Sequence, residues 1–97
     1  MVRNKVFDAE GKFLSQWTHV GSPWGLALTA GEELFLCDGH ANRVLKLKLD
    51  GQVLGIFGAP GRVAGRLDFA HHLAVGPHGS VYIAEIKNWR VQKFESR

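Results

Sequence analysis

The sequence predicts an all-β fold made of repeated four-stranded units. Three observations predict it. Short apolar runs alternate with many of the 12 glycines, no run holds a sustained helical period, and two long stretches overlay at a fixed spacing. "LALTAGEELFLCDGHANRVLKL" (26–47) lies on "LAVGPHGSVYIAEIKNWRVQKF" (73–94) at a spacing of 47 residues throughout. Leu26 meets Leu73, Leu36 meets Ile83, Asp38 meets Glu85 and Arg43 meets Arg90. A second overlay, at a spacing of 40, joins "RNKVFDAEGKFLSQW" (3–17) to "RVLKLKLDGQVLGIF" (43–57). A period in the forties with four strands per unit predicts β-propeller blades, small twisted sheets that must stack on neighbours to bury both faces.

Each element follows from its run. Val6-Phe7 and Phe13–Trp17 flank the Gly11 turn, and Trp24–Leu28 and Leu34–Cys37 flank the Gly31 turn. "RVLKLKL" is the closest approach to a helix, but Leu45, Leu47 and Leu49 recur at period two, so Val44–Leu49 is a strand. Val53–Phe57 follows the Asp50-Gly51 turn. The segment "GAPGRVAGRL" then accounts for the difference between the two spacings, before Leu73–Val75, Val81–Ala84 and Val91–Phe94. With strands lettered a to d from a central channel outward, the chain reads c-d (2–17), a-b-c-d (22–57) and a-b-c (70–97), one module with strand c present twice.

Composition narrows the function classes. Ninety-seven residues make one domain or a piece of one, and the 45% hydrophobic content excludes wholesale disorder. The net charge of +3 comes from scattered Lys and Arg, so nucleic acid is not the expected partner. Cys37 stands alone among apolar neighbours and is expected to be a buried thiol. There is no apolar run of membrane-spanning length and no signal-peptide h-region, so a cytoplasmic chain is expected.

"DGHANRVLKLKLDGQVLGIFG" and "YIAEIKNWRVQKF" resemble NHL repeats, in which an Asp, an Asn and then Arg-Val precede strand c. "FLSQWTHVGSPWGLAL" followed by "DFAHHLAVGPHGSVYIAEIKNWRVQKF" resembles the last two blades of bacterial NHL proteins related to peptidyl-α-hydroxyglycine α-amidating lyase. That resemblance implies a six-bladed propeller. Two blades per chain then imply a head-to-tail homotrimer, because a heterologous contact that closes makes a ring. Strand d for the last blade would come from Phe13–Trp17 of the next copy, and Arg90–Phe94 is expected to displace the Met1–Phe7 copy of strand c, or leave it at the rim.

The resemblance also marks site residues. His71, in "AHHLAV", stands where the lyase family has a zinc-ligating histidine on alternate blades, and Trp24, in "PWGLAL", occupies the same position in the other blade. Three copies of His71 on a ring axis would suit Zn²⁺ or a similar ion. His72 stands where the animal lyase has a calcium-binding aspartate, which puts that calcium in doubt and leaves His72 without a metal role. His40, in "CDGHAN", stands near the position of the family's catalytic tyrosine and is the candidate acid or base. Trp24 is read as a stacking or channel-narrowing residue, and Arg62 and Arg66 as contacts for an anionic ligand. Asp38 and Glu85 are expected to brace the loops leading to Arg43 and Arg90. His78 is expected in an exposed turn, and Trp17 and Trp89 between blades. The functions implied are a ring scaffold with a ligand- or metal-binding channel, a metal-dependent lyase acting on a carbinolamide, or a module that binds protein or RNA.

Overall fold

The computed structural model describes residues 3–95, which form nine strands and no helix. The strands are β1 (Asn4–Phe7), β2 (Phe13–Trp17), β3 (Pro23–Leu28), β4 (Glu33–Asp38), β5 (Arg43–Lys48), β6 (Val53–Phe57), β7 (Ala70–Val75), β8 (Val81–Glu85) and β9 (Arg90–Phe94). Every expected run is a strand. They form three antiparallel sheets in chain order: β1-β2, β3-β4-β5-β6 and β7-β8-β9.

The register repeats with the sequence. Leu26 faces Leu36 across β3 and β4, and Leu73 faces Ile83 across β7 and β8. The second overlay holds down to an irregularity: β5-β6 shifts register between Lys46 and Leu47, and β1-β2 between Val6 and Phe7.

The two middle strands of the central sheet, β4 and β5, are buried on both faces, and side-chain alternation decides which residues go where. Phe35, Cys37 and Val44 point to one face and pack against Ala70, Val81 and Ile83 of the third sheet, with Leu67 between them. Leu36, Leu45 and Leu47 point to the other face and pack with Val20 and with Trp17 from β2. The order in space is therefore hairpin, central sheet, third sheet. Burial pushes the Cys37 thiol up to about 11, and the adjacent Asp38 charge adds to the rise. The thiol therefore stays protonated and unreactive.

The stack ends on apolar faces. Phe7, Phe13 and Leu14 of the hairpin are more than half exposed. So are Leu26 (57%) and Leu28 (62%), which share a face with Leu36 but lie on β3, beyond the reach of the two-stranded hairpin. At the opposite end, Tyr82 and Val91 face solvent from the third sheet.

The b–c connections carry the buried charge. Asp38 accepts backbone N–H bonds from Ser22 (3.0 Å) and Ala41 (3.4 Å) and pairs with Arg43 Nε at 2.9 Å. Glu85 is the larger hub. It accepts bonds from the Asp68 N–H, Asn88 Nδ2, Arg90 Nε and Gln92 Nε2, between 2.6 and 3.1 Å. Arg90 in turn donates to the carbonyls of Arg62, Val63 and Arg66, tying the long connection to β9. Both expected braces are present.

Burial alone would raise the Glu85 pKa, but the bonds from Arg90, Asn88, Gln92 and the Asp68 N–H outweigh it and hold the carboxyl below its ordinary value. A depressed carboxylate pKa stabilises the fold fully above the unfolded-state pKa, about 4.3. That stabilisation is lost as pH falls through the folded value. Urea midpoints should therefore fall on acidification below about pH 4.3, and Glu85→Gln should flatten that dependence.

One expectation is corrected. Trp89 does not pack between sheets; it is 93% exposed. It stands at the repeat position of Asn42, and both residues adopt a left-handed φ, +52° and +53°. The turn conformation, not hydrophobicity, sets the direction of this side chain.

Candidate functional site

Strands β3 and β7, the first strand of each larger sheet, pack side by side. Gly25 permits it: a Cβ there would stand 2.9 Å from the His71 carbonyl oxygen and 3.2 Å from His72 Cα. Both strands carry an irregularity at the same repeat position. Pro23 pairs with Asp38 and Gly25 with Cys37, which leaves Trp24 without a partner. Ala70 pairs with Glu85 and His72 with Ala84, which leaves His71 without one. A bulge frees one residue from strict alternation and re-aims its side chain. Trp24 and His71 are these two freed residues, and their rings lie 6.0 Å apart between centroids.

Trp24 is the centre of an aromatic cluster. Its indole lies 4.6 Å from the Phe69 ring and 5.3 Å from His40. Gly39 forms the floor, since a Cβ there would fall 1.8 Å from indole atoms. Phe69 is held at φ +59° by the hydrogen bond from its N–H to Asn42 Oδ1 (2.8 Å). Lys87 places its ammonium 5.2 Å from the Phe69 ring centre. His71 and His72 bring their Nδ1 atoms to 2.8 Å. One nitrogen must carry the proton for that bond to exist. With the proton on His71, its Nε2 is left as a free lone pair.

The fold thus gathers Trp24, His40 and His71, three of the residues marked from sequence, from two sheets and one loop. It adds Phe69, Lys87, Gly39 and His72. Phe69 and Gly39 had no sequence signal beyond their place beside marked residues. His72 was legible as a neighbour, but its bond to His71 depends on the bulge. Arg62 and Arg66 lie elsewhere: both are exposed on the connection held by Arg90, and their backbone carbonyls make the contacts. His78 sits in the exposed β7-β8 turn, as expected.

The cluster offers a flat aromatic surface, a cation beside it and three imidazoles, those of His40, His71 and His72. Such a surface can stack a planar or apolar group and hydrogen-bond a polar one. Among the described residues, no group of three or more His, Cys, Asp or Glu side chains comes together as metal ligands.

A direct check of this geometry is Gly39→Ala in a Trp17→Phe, Trp89→Phe background. The new methyl displaces the Trp24 indole from its floor. Fluorescence should shift to the red, and iodide quenching should increase while the strand content seen by circular dichroism is unchanged.

No family model matches the chain. No helix among the described residues is long and apolar enough to cross a membrane.

Proposed function

We propose that this chain is a two-blade NHL-type propeller module. It closes head to tail as a homotrimer into a six-bladed ring, and the Trp24–His40–His71 cluster faces the ring's central channel as a ligand site. The observation that carries this reading is the repeated irregularity that frees Trp24 in one sheet and His71 in the next. It puts two chemically different side chains at one structural position on consecutive innermost strands, and the two would alternate around a ring. The open apolar ends support the same reading. Leu26 and Leu28 at one end, and Tyr82 and Val91 at the other, are exposed where a stack of sheets would continue. A contact between unlike ends is heterologous and closes if its rotation fits.

Light scattering on the purified chain tests the ring. The expected mass is three times 10.7 kDa. A monomer or dimer at micromolar concentration overturns the reading. Leu28→Asp places a charge on the open face and should return the trimer to monomers without unfolding them, because Leu28 is already 62% exposed.

A second reading is metal-dependent lyase chemistry of the kind the sequence resemblance implies. It is favoured by the free ring nitrogen that the His71–His72 bond can leave on His71. Imidazole is a suitable zinc ligand, and three copies of His71 would supply three of them with an open position. Zinc bound there would polarise a substrate oxygen or acidify a bound hydroxyl. In this reading His71 holds the ion, His72 fixes the His71 ring and His40 moves a proton beside Trp24. Metal analysis of protein purified under zinc-replete conditions, with His71→Ala as control, tests it. Stoichiometric zinc that disappears in the variant is expected; protein without zinc overturns it.

A further inference from the structure

We infer that the cavity between the central and third sheets is a docking slot for strand β2 of a second copy, paired along the free edge of β9. This rests on the ring reading and names the contact that would close it.

The slot consists of a cavity and a free strand edge. A cavity of about 700 Å³ opens between the two sheets, lined by Phe35 and Phe57 on one side and by Val81 and Phe94 on the other. The Lys46–Glu33 pair (3.4 Å) borders it. Among the described residues β9 pairs only with β8, so its other edge offers unpaired backbone N–H and C=O groups.

The internal repeat identifies the occupant. In the central sheet the strand at this place is β6, with Gly55 opposite Lys46 and Val53 opposite Leu47. The two sequence spacings carry those pairs to Ser15 opposite Lys93 and Phe13 opposite Phe94. The same register already exists inside the chain, where β2 pairs with β1: Ser15 faces Val6 and Phe13 faces Phe7, with the shift at the same point. β9 of the neighbour would therefore take the place of β1. One ladder replaces another of equal length, which keeps the exchange cheap.

Directly opposed residues share a sheet face. Phe94 lines the cavity, so Phe13 of the second copy would enter beside it. Phe13 is now 51% exposed and meets Phe7 edge-on at 5.9 Å; Phe94 would replace that partner. The same docking lays β7 and β8 of one copy over Leu26 and Leu28 of the next.

Ser15→Cys with Lys93→Cys tests the pairing by mild oxidation and non-reducing denaturing electrophoresis. Within one chain these positions lie on opposite sides of the central sheet. Sheets stack about 10 Å apart, and a disulfide spans at most about 7 Å between Cα atoms. Any bond formed therefore joins two chains. Cys37 does not compete, being buried with its thiol pushed up to about 11. A covalent trimer is expected. It should be absent with Gln16→Cys and Lys93→Cys, whose side chains point to opposite faces, and lost when Phe13→Asp is added. A trimer by light scattering that does not cross-link overturns the slot, leaves the cavity to another occupant and leaves the ring standing. A monomer that does not cross-link overturns both. Equal cross-linking by the Gln16 control also overturns the slot, since the contact would then have no register.

Discussion

Glu85→Ala should be the most damaging single substitution in this chain, costing about 3–5 kcal/mol because it removes a buried carboxylate that neutralises Arg90 and is the shared acceptor of three further donors. The side chain is fully buried and faces Arg90, Asn88, Gln92 and the Asp68 N–H. All four lose this shared acceptor together; the Asp68 N–H is left with none, while Asn88 and Gln92 keep the carbonyls of Gly61 and Arg66. Arg90 also holds three carbonyls of the connection between the central and third sheets, so the loss reaches the loop as well as the strand. A small domain holds roughly 5–15 kcal/mol in total. For a chain of this size the change lowers the melting midpoint by roughly 15–30 °C. Glu85→Gln keeps an acceptor oxygen and should lose about half as much. Thermal and urea unfolding followed by circular dichroism measure both. A change under about 1 kcal/mol for the alanine variant would mean the network is not stabilising.

Leu45→Ala should come next, at about 2–5 kcal/mol. Leu45 is fully buried on β5, in the cluster with Val20, Leu36 and Leu47 that joins the hairpin to the central sheet. The cavity left behind has strands on both sides and little room to collapse. Leu26 lies on the same face but is 57% exposed, so Leu26→Ala should cost the isolated chain under about 1 kcal/mol. In the proposed ring Leu26 is covered by a neighbour. The two variants therefore separate two kinds of burial. Leu45→Ala lowers the urea midpoint at every protein concentration, and Leu26→Ala lowers it mainly where the chain is assembled.

Much of this architecture is legible in the sequence. Leu45 and Leu47 fell on one face by period two, and the overlay paired Asp38-Arg43 with Glu85-Arg90 as equivalent braces. The site was legible in part. Trp24 and His71 were found through their shared repeat position and the resemblance it carried. The residues beside them were not, because Phe69 and Gly39 meet Trp24 only after two separate sheets have stacked. Trp89 departs from its expected burial for a related reason. An aromatic side chain favours burial, but Trp89 sits between Asn88 and Arg90 in a left-handed turn that points it to solvent.

The sequence by itself determined the all-β class, the nine strands, their pairing order and the two spacings that relate them. Those properties follow from local alternation and turn chemistry, which each segment carries with it. Only the tertiary structure decided which face of each sheet is covered, where the strand irregularities free Trp24 and His71, and that Gly25 lets β3 and β7 approach. Those depend on what stacks against each sheet, and contact between segments tens of residues apart is not encoded in the period of any one of them.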